Sequence, residues 1–249
     1  GRRKLENGCE AVPERAATWW RGGPAVSELS WEGAEYETPL VISAIMEKYE
    51  KALDRQADDQ AGVWTLLGRA RLEASTLASD MSVCGSELEN AAAAADCFEK
   101  ACVLAPGQAA RWSDWGRAFF RLAQLLDNDA SALAALEGAG EKYETAMALE
   151  PENGEHHTGL SHILYQWAWH LDDQEGRILK FRQAYAHCAE AGRLAPYDPL
   201  VWRNWGKVTE ALAGLENDPL KSFDWQSEAE EKFYRADIID ATLSRDRRH

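Results

Sequence analysis

The stretch VLAPGQAARWSDWG at residues 103–116 recurs twice without gaps, as ALEPENGEHHTGLS at 148–161 and as RLAPYDPLVWRNWG at 193–206. Each copy begins 45 residues after the previous one, so the sequence contains an internal repeat with a period of 45. Self-similarity at a fixed period of this size is typical of arrays that stack one supersecondary unit on the next. The repeat therefore predicts an elongated array of similar units for this chain of 249 residues.

Apolar and small residues recur within each unit at helical spacing. In one unit, Trp112, Trp115 and Gly116 mark the first half, and Ala139, Tyr143 and Ala146 follow at offsets of four and three residues. Offsets of three, four and seven place side chains on one face of an α-helix, so each unit is predicted to be a pair of amphipathic helices. A proline ends the second helix, because it cannot donate the backbone hydrogen bond that a helix interior needs. These prolines are Pro106, Pro151 and Pro196.

This order of residues resembles the tetratricopeptide repeat family, which has Trp, Leu and Gly in a first helix and Ala, an aromatic residue, Ala and Pro in a second. The resemblance covers residues 40–243 approximately. Family units contain about 34 residues, whereas the units here are 45 residues long. The extra residues lie between the two halves, and we interpret them as longer helices joined by a slightly longer turn. The predicted fold is all-α, a right-handed superhelical solenoid of about four and a half antiparallel helix pairs.

The repeat divides the chain into three regions. Residues 39–243 form the solenoid, and residues 244–249 are expected to be a frayed tail. Residues 1–38, which contain Trp19, Trp20 and Trp31, do not fit the repeat. We interpret this segment as an N-terminal cap or strap, with docking to a partner or packing into the protein's own groove as alternatives. The solenoid begins with a half unit at 39–57 and continues with units at 58–105, 106–150, 151–195 and 196–243.

The charge balance narrows the class of partner. The chain has 42 acidic and 27 basic residues and a formal net charge of −15. Such a charge disfavours binding to nucleic acid or to anionic lipid, because both depend on clusters of Lys and Arg. No apolar run approaches the roughly 20 residues that a membrane-spanning helix needs. The five cysteines are scattered without a Cys-x-x-Cys motif, which favours free thiols and a cytoplasmic protein. The first residue is Gly1 and not Met, which is compatible with a trimmed N-terminus.

The sequence contains no recognisable catalytic arrangement. Gly138 and Gly140 lie in a predicted helix without the strand that a phosphate-binding loop requires. His157 occupies a slot that Trp fills in other units, and we interpret it as a core histidine. We therefore predict no enzyme activity, no cofactor and no metal site. Most of the tryptophans hold packing slots, but Trp167 and Trp169 lie beyond them, and we expect at least one of these two to be exposed.

The resemblance implies that the first helices line a concave face, into which the residue after each Gly or Ser slot projects. Three of these four residues are basic at neutral pH, and the fourth is a histidine. Further basic or amide side chains lie in neighbouring columns, where some family members hold a terminal carboxylate with Lys, Asn and Arg. We predict a groove for an acidic or extended peptide. Its predicted residues are Arg69, Arg117, His162 and Lys207 in the main column and Arg121, Arg203 and Asn204 beside it.

Two alternatives stay open at this stage. The basic residues of the groove either clamp carboxylates of a peptide or form an internal ladder of salt bridges with acids such as Asp114 and Glu210. The predicted function is a non-enzymatic protein-interaction module or scaffold. The alternative is a structural subunit of a larger assembly, which uses the Trp-rich N-terminus and the outer ridges for its contacts.

Overall fold

The computed structural model describes residues 38–55, 58–77 and 85–246, and within these ranges the chain forms nine α-helices and no strand. This confirms the all-α prediction. The segment 1–38, interpreted as a cap, lies outside the described ranges except for Thr38, which is the first residue of the first helix. The helices are α1 (Thr38–Asp54), α2 (Gln60–Ala74), α3 (Glu87–Leu104), α4 (Ala109–Leu125), α5 (Asp129–Leu149), α6 (Gly154–Trp169), α7 (Gln174–Leu194), α8 (Pro199–Leu215) and α9 (Pro219–Asp246).

The helices pair in chain order and stack as a solenoid. The hairpins are α2–α3, α4–α5, α6–α7 and α8–α9, and α1 packs on α2 as the second helix of the expected half unit. Each hairpin then packs on the next, through α3 on α4, α5 on α6 and α7 on α8. Stability in such an array comes from each hairpin and its neighbours, and the buried apolar residues of the described ranges form three clusters along the array.

The turns of the hairpins α4–α5, α6–α7 and α8–α9 are short, and side chains cap α5 and α7. Asn128 accepts a hydrogen bond from the backbone N–H of Ser131 (3.1 Å), which starts α5, and Asp173 starts α7 in the same way by accepting from the N–H of Gly176. Because α5 and α7 each contain 21 residues, the extra length of the repeat lies almost wholly in the helices. These caps satisfy backbone donors that the first helical turn leaves unpaired.

Three of the four hairpins close where a glycine meets an aromatic ring. A Cβ atom built on Gly68 would lie 2.9 Å from the ring of Phe98, one on Gly116 would lie 2.8 Å from Tyr143, and one on Gly206 would lie 2.6 Å from Phe233. Real Cβ contacts are not this short, so the glycines allow the two helices to approach. In the remaining hairpin, α6–α7, the larger Ser161 takes the position of the glycine. The side chain opposite it is Cys188, which is smaller than an aromatic ring.

A repeated hydrogen bond ties each first helix to the turn before it. The indole Nε1 of Trp112 donates to the carbonyl oxygen of Pro106 (2.8 Å), and Trp202 donates to Pro196 in the same way (2.9 Å). This explains why the Trp and the Pro recur six residues apart. His157 takes this place in α6, where it is half-buried and its Nδ1 lies 3.2 Å from Nδ1 of His187 on α7.

Three of the cysteines act as small core residues. Cys97, Cys102 and Cys188 are buried free thiols. Burial raises the pKa of Cys97 and of Cys102 to about 11 and that of Cys188 to about 12, which keeps all three protonated near neutral pH. Cys9 and Cys84 lie outside the described ranges.

The last helix is longer than the other second helices. α9 contains 28 residues and runs to Asp246, so it continues for three residues into the segment where we expected a frayed tail. Residues 247–249 lie outside the described part of the chain. Within that part, none of the helices combines the length and the apolar character needed to cross a bilayer.

Candidate peptide-binding groove

The first helices lie side by side along one surface of the solenoid. α2 contacts α4, α4 contacts α6, and α6 contacts α8, whereas no comparable contact joins the described second helices to one another. Polar side chains bridge these helices: Arg111 donates through Nε to Oγ1 of Thr65 (3.1 Å), and Oγ of Ser113 lies 3.1 Å from Nδ1 of His156. The closer approach of the first helices indicates that the array curves with these helices on its inner side, and we call their exposed faces the groove.

A buried carboxylate organises the N-terminal part of the groove. Asp114 is 5% exposed and its Oδ2 accepts a hydrogen bond from Nε of Arg69 (2.7 Å), while Nη2 of Arg69 lies 2.6 Å from the same oxygen. Its other oxygen lies 3.4 Å from Nη1 of Arg117, whose side chain is 62% exposed. Two guanidinium groups therefore share one carboxylate, and the cluster has a net charge of +1. This part of the predicted salt-bridge ladder is present.

His162 occupies the middle of the main column and is half-buried. Its ring lies against that of Phe120, with the ring centroids 4.8 Å apart. Burial, and after it the nearby ammonium group of Lys207, hold the pKa of His162 below its usual range. The imidazole is therefore neutral at pH 7, and it gains a charge only in acid or when an anion lies beside it.

Lys207 extends the main column onto α8 and is exposed. The structure records no ion pair for this side chain within the described ranges, and Glu210, the predicted partner in an internal ladder, forms none either. Its ammonium is therefore available to a ligand. We call Arg117, His162 and Lys207, which lie on three successive first helices, the basic column.

The other predicted groove residues are engaged inside the protein. Arg121 donates to the carbonyl oxygen of Ser75 and pairs with Glu87 at 2.8 Å. Arg203 pairs with Asp240 on α9, and Asn204 is buried. Both arginines thus join one helix to another. These contacts give the two arginines a structural role. That Arg121, Arg203 and Asn204 bind a peptide stays a prediction.

Aromatic side chains that the sequence did not assign to the groove lie beside the basic column. Phe120 and Tyr165 occur three residues after the column positions of α4 and α6, and both are half-buried. A residue three positions along a helix lies next to the column, so this spacing is the signal that identifies them. Phe120 contacts His162 directly, as described above. The column therefore has apolar surface along its side.

Trp169 and Trp167 differ in exposure. Trp169 is 51% exposed, as expected for at least one of the pair, and its ring meets those of Tyr165 and Phe181 edge-on at 6.1 and 5.5 Å. The Nζ of Lys180 lies 3.5 Å from the ring centroid of Trp167, which is half-buried. Trp169 lies seven residues after His162, and two helical turns return to the same face of α6. It therefore adds an aromatic surface at the far end of the groove.

The spacing of the basic column suits an extended chain. Packed helices lie about 8–10 Å apart, and an extended peptide rises about 3.3 Å per residue. A peptide that crosses the first helices would therefore bring every third residue opposite a column position. Three carboxylates at that spacing would meet Arg117, His162 and Lys207 in turn.

In the described part of the chain, no three His, Cys, Asp or Glu side chains are grouped so that they could hold a metal ion.

Comparison with known proteins gives similarity to solved structures alone. No family model matches the chain, and no curated protein matches it. The crystal structure of MamA is 14% identical over 80% of this chain and 89% of that chain, with a TM-score of 0.47. A second crystal structure of MamA protein is 18% identical over 79% and 93%, also with a TM-score of 0.47. The structure named MamA MSR-1 C2 is 16% identical over 84% and 97%, with a TM-score of 0.44. The tetratricopeptide resemblance stays a prediction.

Proposed function

We propose that this protein is a non-enzymatic interaction module or scaffold whose inner groove binds an acidic, extended segment of another protein. The observation that carries the proposal is the basic column. Arg117 and Lys207 are exposed on either side of His162, in a chain whose net charge is −15. Charge-assisted hydrogen bonds from these side chains would bind carboxylates, and the rings beside the column would contact apolar parts of the peptide.

The internal salt bridges are compatible with this proposal. Arg69 covers the buried Asp114 with two short contacts, and Arg117 makes a single longer one. A ligand carboxylate can therefore bind Arg117 without breaking the Arg69–Asp114 pair. The ladder supports the groove from beneath, and the exposed guanidinium of Arg117 remains at its surface.

Reversing the two exposed charges of the column should abolish most of the binding. For a peptide with Glu at every third position, we expect R117E/K207E to lower the affinity by about three orders of magnitude at low salt, since at each of the two sites a contact at about 4 Å changes from an attraction of about 1 kcal/mol to an equal repulsion. Isothermal titration calorimetry measures the affinity, and thermal denaturation checks that the variant stays folded, with a small fall in melting temperature because Arg117 also contacts Asp114.

A matched control is available on the second helices. Arg182 and Lys221 are exposed on α7 and α9, so R182E/K221E gives the same change in net charge away from the groove. We expect this variant to bind the peptide about as well as the unaltered protein. Equal losses in the two variants would mean that net charge decides the affinity, and unchanged binding by R117E/K207E would refute the groove as the site.

The lowered pKa of His162 gives the binding a pH dependence. The imidazole is neutral at pH 7, and the Glu side chains of the peptide stay ionised well below pH 7. Acidification therefore adds a positive charge to the basic column and leaves the charge of the peptide unchanged. We expect the affinity to rise between pH 7.5 and pH 5.5 by up to about fivefold, the limit for a fully charged imidazole, which corresponds to about 1 kcal/mol. The variant H162Q should lose this increase and keep its affinity at pH 7.5. The same titrations, repeated at both pH values, test this.

A further inference from the structure

The last helix has a face that no described helix covers. Each of the earlier second helices α5 and α7 lies between two first helices, whereas α9 packs on α8 alone within the described ranges. Four large apolar side chains of α9 are between 49% and 77% exposed. They are Leu220, Phe223, Tyr234 and Ile238.

These four side chains share one side of the helix. Leu220 and Ile238 are 18 residues apart, which is five full turns, and Phe223 and Tyr234 are 11 residues apart, close to three turns. The stripe, which we call the α9 face, is about 27 Å long. It consists of an apolar pair at each end of a central section.

The central section of the α9 face is acidic. Ser227, Glu230 and Glu231 lie between the two apolar pairs, and both glutamates are exposed. The basic residues of this part of the helix turn the other way. Lys232 is 9% exposed, with Nζ 4.6 Å from the ring centroid of Trp205 on α8, and Arg235, which stays exposed, has its Cζ 3.6 Å from the ring centroid of Trp202. Because the cations pack on α8, negative charge dominates the outer side.

Three of the four apolar residues of the α9 face are not required by the repeat. In the preceding unit, 45 residues earlier, Ala189 and Arg193 hold the places of Tyr234 and Ile238, and Glu175 holds that of Leu220. Only the place of Phe223 is apolar there too, since Ile178 holds it. The exposed apolar groups at the other three positions of α9 therefore have a cause outside the repeat, and contiguous exposed apolar surface marks interaction sites.

We propose that the α9 face binds an amphipathic helix of a partner protein, with apolar residues at both ends of its contact and Lys or Arg in the middle. Helices pack through apolar stripes with i, i+3 and i+4 spacing, and opposite charge at the centre fixes the register. A second copy of this chain fits poorly. Antiparallel self-pairing about the midpoint of the stripe would bring Glu230 and Glu231 of both copies together, and like charges at that distance repel.

The test uses designed peptides of about 20 residues that differ only in central charge. The first peptide has Leu at the positions that face the two apolar pairs and Lys in the central turns. The second peptide has Glu in place of each Lys and is otherwise identical. We expect the Lys peptide to bind full-length protein at least tenfold more tightly than the Glu peptide. E230K/E231K should reverse this preference, and R117E/K207E should leave it unchanged, which separates this surface from the groove.

Variants of the apolar pairs identify the surface. F223S/Y234S should weaken the Lys peptide at least tenfold, with an unchanged melting temperature because both side chains are exposed. V103S is the control, since Val103 is 76% exposed on α3, away from the α9 face. Equal binding of both peptides, or no effect of F223S/Y234S, would overturn the proposal. A dimer in light scattering that F223S/Y234S disperses would also overturn it, by making a second copy the occupant.

Discussion

Replacing Gly159 with alanine is expected to lower the free energy of unfolding by about 3 kcal/mol, since the added methyl group has no room in a packed core. A Cβ atom on Gly159 would lie 2.8 Å from Oη of Tyr143 and closer still to two ring carbons. The ring cannot move aside, because it is buried and its opposite part lies against Gly116. For a chain of this size the melting temperature should fall by about 6–12 °C. Thermal and urea denaturation measure both quantities.

A second glycine provides the matched control. Gly214 is also helical, in α8, and a Cβ atom there would meet nothing within 4 Å. Alanine favours a helix over glycine by up to about 1 kcal/mol, so G214A should be neutral or stabilising. Trimming the ring in the double variant G159A/Y143L should recover part of the loss, which a double-mutant cycle would register as coupling. If G159A is as stable as G214A, the contact between Gly159 and Tyr143 does not determine the packing.

The sequence predicts the packing inside each hairpin better than the packing between hairpins. Gly116 and Tyr143 recur at fixed offsets because both lie on faces set by helical periodicity, and the structure brings them together. Gly159 belongs to the next hairpin and meets the same ring. That contact depends on how far one hairpin is rotated against its neighbour, and this rotation follows from the sum of many side-chain volumes. Local spacing does not contain it.

In the groove, too, local spacing predicts the positions of the residues, whereas the packing between hairpins determines their contacts. Periodicity places Arg69, Arg117, His162 and Lys207 at equivalent positions, and their different environments follow from neighbours about 45 residues away. Asp114 neutralises part of the charge at one position, and the ring of Phe120 buries another. The sequence pattern predicts that Arg203 lines the groove, but its guanidinium pairs with Asp240, because the long helix α9 passes beside α8. Such partners become visible only when the hairpins are assembled.

Asp114 connects the stability of the solenoid with the charge of the groove, so its replacement should affect the two in opposite directions. In D114N the guanidinium of Arg69, 31% exposed, loses its carboxylate. Removing one partner of a buried pair costs about 3–5 kcal/mol, and the partial exposure of Arg69 reduces this to about 2 kcal/mol. D237N is the control, because Asp237 is exposed and lies 3.8 Å from Arg203, and it should change the stability by less than about 0.5 kcal/mol.

The same substitution should strengthen binding of the acidic peptide. The cluster of Arg69, Asp114 and Arg117 changes from a net charge of +1 to +2, and Arg117 no longer shares its guanidinium with Asp114. An added unit charge at about 4 Å in water contributes about 1 kcal/mol, so the affinity should rise about fivefold at low salt and less at high salt. Calorimetric titration below the lowered melting temperature separates the two effects. A weaker affinity in D114N would show that Asp114 orients Arg117 for the ligand, and that geometry outweighs charge in this groove.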